Sequence, residues 1–435
     1  MSNYCSIVID VICIMAEGEI RHEQSPSLCI SSSSTLSSLM NPPKTGKFQE
    51  ISARAGHLVA CFGNFMCVWG GYEVSEYNSE QYCKSNEIWM YDTILNRWYS
   101  YETTCEIPLA RSGSIAQLID DKLYVHGGHT KQGNTNSIYC LNIKTMEWKK
   151  LLSNYEGPLP SPRDKHSSWV YKNKLYCFGG HGPDITDFLC DSGEYVEDVS
   201  SDMSYPRGWN NQLLIFDCDL HRWSNPKCTG EVPSPRAAHA STRIGNKTYV
   251  FGGRHLSKRM NDLYCLDLDT LHWTKPQITG HVPCGRSWCS FTAVSPTRIL
   301  LCGGFTQDNQ PLADIWLFDV TTFSWIIYEM SFSIPRLWHS CCVTPDDDVI
   351  IFGGCCSNIL DYTQKAIHTN EVIQFRIKPK SLLQLSVDTL VKYRQKTKAE
   401  WKYLPQRLFK YAKLKEQAII NDPIKFSSNL VKSKH

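Results

Sequence analysis

Along much of the chain, short apolar runs of strand length end in a pair of glycines. A polar loop and a second apolar run follow, and then a Trp. The stretch Val250-Phe-Gly-Gly-Arg254, Arg259-Met-Asn-Asp-Leu263, Leu263-Tyr-Cys-Leu-Asp-Leu268 and Trp273 shows one full unit. Gly-Gly pairs start at Gly70, Gly127, Gly179, Gly252, Gly303 and Gly353, with intervals of 57, 52, 73, 51 and 50 residues. Apolar runs of this length between turn residues predict β-strands, and a fixed period near 50 predicts a repeat architecture.

The signature resembles the kelch repeat, in which each unit is one four-stranded blade of a β-propeller. Each unit opens on a related segment: Arg54-Ala-Gly-His57, Arg111-Ser-Gly-Ser114, Arg163-Asp-Lys-His166, Arg236-Ala-Ala-His239, Arg286-Ser-Trp-Cys289 and Arg336-Leu-Trp-His339. Trp98, Trp148, Trp223, Trp273 and Trp325 follow the first five glycine pairs on the outer-strand position. The sixth unit lacks this Trp and ends near Phe375. Residues 46–52 are expected to supply its fourth strand and close the ring. The expected fold is all-β: a six-bladed kelch propeller over 46–378, closed by an N-terminal strand. A disordered, Ser-rich leader (1–45) precedes it. A helical segment (379–415), with Ser381 as N-cap, and a disordered basic tail (416–435) follow it.

The third repeat is long. Its excess, between Gly180 and Trp209, holds Asp184, Asp187, Asp191, Glu194, Glu197, Asp198 and Asp202, with no Lys or Arg before Arg207. Such an excursion is either functional or a solvated acidic loop.

Composition narrows the class. The 435 residues are 42% hydrophobic and 20% charged, too polar for a membrane protein. There are 20 Cys but no Cys-x-x-Cys, and Cys61, Cys67, Cys177, Cys265 and Cys302 fall inside expected strands. Buried free thiols in a reducing compartment are expected. The apolar stretch Ile7–Met15 has no Lys or Arg before it and is interrupted by Asp10, unlike a secretory signal. The expected location is cytoplasmic, nuclear or both. Residues 376–435 hold 15 Lys/Arg against 4 Asp/Glu in a chain of net charge +2, so the body is acidic and the tail basic.

Propeller topology decides which loops meet. The loop after a blade's second strand and the link into the next blade open on one face; the other loops open on the opposite face. Segments after each Gly-Gly therefore share a rim with the Arg-x-x-His segments. In the third to fifth units this rim carries Lys165, His181, Arg207, Trp209, Arg254, Arg259, Ser287, Trp288 and Trp338. Two guanidiniums and a hydroxyl match the lone pairs of a carboxylate, and indole walls exclude water. A peptide C-terminus or another small anion fits such a pocket. An alternative pairing for Arg254 and Arg259 is with Asp262 or the acidic insertion. Arg236 and His239 are expected to tie blades together rather than bind a ligand.

Val170–Leu175, Pro206-Arg-Gly-Trp-Asn210, Ser234-Pro-Arg-Ala-Ala-His239, Phe251–Arg254, Arg259–Leu263, Gly285-Arg-Ser-Trp288 and Pro335-Arg-Leu-Trp-His339 go beyond a generic kelch pattern. They resemble the kelch-domain substrate receptors of cullin-2 ubiquitin ligases that read C-terminal diglycine degrons. The resemblance implies that Arg254, Arg259 and Ser287 hold the degron carboxylate. It also implies that Lys165, His181, Arg207, Trp209 and Trp288 line the pocket. Ser381-Leu382-x-x-x-Ser386-x-x-x-Leu390 resembles an elongin-binding box, and Leu404-Pro405-Gln-Arg-Leu408 a cullin-2 box. His181 stands where such receptors carry Tyr, Ser386 where they carry Cys, and Cys289 where they carry His. The implied partners are elongin B/C, cullin-2 with its RING subunit, and C-terminal peptides of substrates. No catalytic residue, metal, cofactor, nucleic acid or membrane is expected. The alternative is a kelch interaction scaffold without ligase coupling. A copper oxidase would need a Tyr, His and Cys-modified Tyr constellation, and none is visible.

Overall fold

The computed structural model describes residues 47–74, 80–152, 158–199, 206–361 and 363–421. The expected leader, Asp202 and the last fourteen residues lie outside them. Five antiparallel meanders follow one another along the chain. Their inner strands are Leu58–Phe62, Ile115–Ile119, Ser167–Tyr171, Ala240–Ile244 and Ser290–Ala293. A sixth sheet of three strands follows: Ser340–Val343, Asp348–Phe352 and Val372–Arg376. Each inner strand lies beside those of the neighbouring sheets, and the sixth lies beside the first. The fold is an all-β propeller.

Each repeat's Arg is buried and serves the backbone. Arg111, Arg163, Arg236, Arg286 and Arg336 each donate Nη1–H to the carbonyl of the first glycine of their own pair, at 3.0–3.3 Å. The second glycine then donates N–H to the carbonyl of the next repeat's Arg. These bonds run Gly71 to Arg111, Gly128 to Arg163, Gly180 to Arg236, Gly253 to Arg286 and Gly304 to Arg336, and Gly354 returns to Arg54. The glycines are required here. A Cβ on Gly252 (φ +65°) would stand 2.7 Å from the Arg286 carbonyl, and one on Gly253 (φ +94°) 2.7 Å from His239 Cβ.

The outer-strand Trp residues fasten neighbouring sheets. Each packs on the residue that precedes the glycine pair of the previous repeat. The ring centroids are 5.2 Å apart for Trp148 on Trp69, 4.7 Å for Trp223 on His126, 5.0 Å for Trp273 on Phe178 and 5.1 Å for Trp325 on Phe251. Trp98 packs at 4.9 Å on Phe352 of the sixth sheet. The latch histidines behave as expected of structural groups: His239 Nε2 meets Ser167 Oγ at 2.8 Å and His339 Nε2 meets Ser290 Oγ at 2.9 Å.

Two expectations need correction. Residues 46–52 do not complete the sixth sheet. Lys47–Phe48 pairs antiparallel with Tyr99 and Ser100 at the outer edge of the first sheet. Ile51 is drawn into the apolar seam with Met66, Val68, Ile350 and Phe352, which leaves the preceding strand on the first sheet's side. The helical segment also runs beyond residue 415. Leu382–Lys392 starts on a capping box at Ser381, and a second helix spans Gln406–Asn421. Ile419 packs on the helical core, and buried Glu416 pairs with Lys398, so the last turns are held. Gln384 and Tyr411 bond Asp346, in the turn after the sixth sheet's first strand. Ile94, after the first sheet's third strand, joins the helical core. The helices therefore sit on the face opposite the Gly-Gly rim.

Asp262→Ala is expected to lower unfolding stability by about 3 kcal/mol, because it strands the buried Arg236 guanidinium that Asp262 holds through both oxygens. Urea denaturation checks this; an unchanged midpoint contradicts it.

Candidate functional site

The rim is built from six equivalent bridges. The residue after each Gly-Gly pairs with the residue after each Arg: Tyr72 with Ala55, His129 with Ser112, His181 with Asp164, Arg254 with Ala237, Phe305 with Ser287 and Cys355 with Leu337. Inside them runs a closed circle of backbone hydrogen bonds. Gly113 donates to Gly56, Lys165 to Gly113, Ala238 to Lys165, Trp288 to Ala238, Trp338 to Trp288, and Gly56 to Trp338. All six residues have positive φ, between +53° and +67°. Four are not glycine, and the left-handed conformation costs roughly 1–3 kcal/mol for each. Lys165, Trp288 and Trp338 are thereby fixed at the funnel mouth.

The structure brings the expected residues into one contiguous necklace. Lys165 Nζ lies 5.8 Å from the Trp338 ring centre, and Trp338 stacks on Trp288 at 5.4 Å. Phe305 lies beside Trp288 and 4.7 Å beneath the Arg259 guanidinium. Arg259 Nε donates to Ser287 Oγ at 3.1 Å. Arg254 is the cross-strand partner of Arg259 and lies 5.6 Å over the Trp209 ring. Trp209 meets His181 edge-on at 5.4 Å. Arg207, at the edge of this group, donates to Asn134 Oδ1.

The electrostatics are lopsided. Lys165 is neutralised by the buried Asp164 at 2.6 Å, and His181 Nε2 lies 3.5 Å from Asp198. Asp262 is taken by Arg236. Asp184, Asp187, Asp191, Glu194 and Glu197 are exposed on the insertion. Among the described residues, neither Arg254 nor Arg259 has an ion-pair partner. Burial, with Arg254 nearby, lowers the Arg259 pKa to about 10, a half-buried cation that an anion would stabilise. The arrangement can hold a small carboxylate between two guanidiniums and a hydroxyl, over aromatic walls.

Sequence reasoning missed Phe305, Asp164 and Gln307, whose Oε1 accepts from Arg259 N–H at 2.8 Å. For Phe305 a signal existed: it follows Gly304 as Arg254 follows Gly253. The expected helical residues divide. Leu382 and Pro405 are exposed and Ser386 is half-buried, while Leu390, Leu404 and Leu408 are buried in the chain's own helical core.

His126, His166 and Cys177 are close enough to share a metal ion. His166 Nε2 meets His126 Nδ1 at 3.1 Å, and His166 holds the same repeat position as His239 and His339, whose Nε2 atoms meet Ser hydroxyls of the previous repeat. Arg163 and Arg111 place positive charge beside it, so we read the group as a latch.

A family model described as the KLHDC2/KLHL20/DRC7 Kelch-repeats domain matches residues 21–200 and 203–354. The chain is 42% identical over 362 residues to Kelch domain-containing protein 2 of Homo sapiens, covering 82% of this chain and 88% of that protein. It is 38% identical over 362 residues to human Kelch domain-containing protein 1, with the same coverage of each chain, 82% and 88%. A solved structure titled "Structure of YjhT" superposes with a TM-score of 0.56 at 18% identity, covering 76% of this chain and 97% of that one; it supports the propeller fold.

Burial, then Lys165, lowers the His181 pKa to about 4. His181 is therefore neutral at physiological pH. Its folded value lies below the unfolded value near 6.5, so its contribution to stability is full above about pH 6.5 and is lost as pH falls toward 4. An NMR titration is expected to show a flat His181 ring signal from pH 8 to about 5.5; a midpoint near 6.5 contradicts this.

Proposed function

The chain belongs to the KLHDC2/KLHL20/DRC7 kelch-repeat family, and from that premise we propose that it is a six-bladed substrate-recognition subunit of a cullin-2–elongin B/C ubiquitin ligase. Its ligands are the C-terminal peptides of proteins ending in glycine. The observation that carries the reading is the pair Arg254 and Arg259, joined to Ser287 and without an acidic partner among the described residues. A terminal glycine has no side chain, so its carboxylate enters a narrow cationic pocket that a bulkier end cannot reach. Lys165, Trp209, Trp288 and His181 line the approach, and Arg207 borders it. His181, neutral, supplies a ring N–H for a peptide carbonyl.

Six units support the six-bladed count: Gly354 bonds Arg54 as each earlier glycine bonds the next Arg. The coupling half rests on the helical segment, which lies on the opposite face and leaves Leu382, Leu385 and Tyr403 exposed. In this reading Leu382, Ser386 and Leu390 form the elongin contact, with Leu390 holding the helix from within. Leu404 and Leu408 likewise set the geometry of the cullin contact around exposed Pro405. Recognition and coupling need no catalytic group or cofactor, and the chain acts as an adaptor in the cytoplasm or nucleus.

In calorimetry with a glycine-ended peptide, Arg254→Ala and Arg259→Ala are each expected to cost on the order of 2–5 kcal/mol of binding; wild-type affinity in either contradicts the pocket. The full chain should co-purify with elongin B/C, and Leu382→Ala should not. Peptide binding without elongin capture would favour the scaffold alternative.

A further inference from the structure

The chain runs unbroken from each sheet to the next, except between the sixth and the first. Among the described residues no strand is exchanged across that seam, since Lys47–Phe48 stays on the first sheet. It is held by Trp98 on Phe352, by Gly354 N–H to the Arg54 carbonyl at 2.8 Å, and by Ser340 Oγ to the His57 carbonyl at 2.9 Å. Cys61, on the innermost strand of the first sheet, and Cys342, on the innermost strand of the sixth, also meet there. Their Sγ atoms are 2.7 Å apart, across 281 residues of sequence.

We propose that Cys61 and Cys342 are an oxidation site that forms a disulfide and closes the ring covalently. The strands are already in place. Bonding needs the sulfurs to close to about 2.0 Å, a movement within side-chain reach. Cys61 is half-buried and Cys342 buried, so a peroxide meets Cys61 first. Hydrogen peroxide oxidises the Cys61 thiol to a sulfenic acid and releases one water. The Cys342 sulfur then attacks the Cys61 sulfur, and the sulfenic hydroxyl leaves with the Cys342 proton as a second water. Two thiols lose two electrons, and the peroxide gains them. Cys341 is half-buried next to Cys342, and Cys67 is buried on the first sheet's second strand; these are the competing thiols. A link across so long a loop constrains the unfolded chain strongly.

The test treats the full-length chain with hydrogen peroxide, blocks remaining thiols by alkylation, and identifies cross-linked peptides by mass spectrometry beside a thermal melt. A Cys61–Cys342 cross-link is expected, with a melting rise of roughly 5–10 °C over the reduced chain. The rise should vanish in Cys61→Ser and Cys342→Ser, whose reduced melts should match the reduced parent. If a serine variant misfolds, the parent's cross-link and its reversal by dithiothreitol decide. Both thiols remaining alkylatable, Cys61 pairing with Cys341 or Cys67, or a cross-link without a melting rise would each overturn the proposal.

Discussion

Everything in this ring hangs on five buried guanidiniums that are spent on backbone. A guanidinium without exposure is costly unless its donors find acceptors. Here the first acceptor is always the carbonyl of the repeat's own glycine pair. The second is local chemistry: Asp262, Asp314 or Glu371 for three of them, neutral Asn210 and Gln212 for Arg163, and the Ser137 hydroxyl for Arg111. The neighbouring glycine N–H then binds the next Arg's carbonyl, so one contact joins strand to strand and repeat to repeat. Glycine is forced at both positions by the closeness of that approach, and this makes the pair the strongest mark in the sequence.

A cyclic scaffold becomes a site by breaking its own symmetry. The same six bridge positions hold Tyr72, His129, His181, Arg254, Phe305 and Cys355, and the inner circle passes from two glycines to Lys165, Ala238, Trp288 and Trp338. Cation and indole thus gather on one side of the funnel. The circle of hydrogen bonds holds the left-handed residues against their local preference, so the side chains at the mouth are positioned before any ligand arrives. The buried Asp164 balances Lys165, whereas Arg254 and Arg259 have no ion-pair partner among the described residues.

The repeat, the core Trp residues, the structural role of Arg236 and His239, and the members of the rim were legible because each follows from a period and a topology. The seam was not. Two residues, Lys47 and Phe48, carry no pattern that distinguishes one sheet edge from another, and the position of Ile51 in the apolar seam decides the matter. The last helix passes the expected boundary at 415 because a Lys398–Glu416 pair and the tertiary apolar contact of Ile419 hold its last turns. Phe305 was passed over because an aromatic after a glycine pair reads as core until its neighbour is known to be Arg259. The division of Leu382 from Leu390, one exposed and one buried, depends on which helix face packs into the helical core.

The two faces of the molecule are thus separate in chemistry: a funnel whose Arg254 and Arg259 have no ion-pair partner among the described residues on one, a packed helical pair with exposed Leu382 and Tyr403 on the other. In the proposed function the funnel holds a free terminal carboxylate. The most direct measurement is calorimetry of the full chain with one glycine-ended peptide in two forms, free acid and C-terminal amide. The acid is expected to bind and amidation to remove most of the affinity, on the order of a hundredfold or more. Equal binding of the two forms would contradict it.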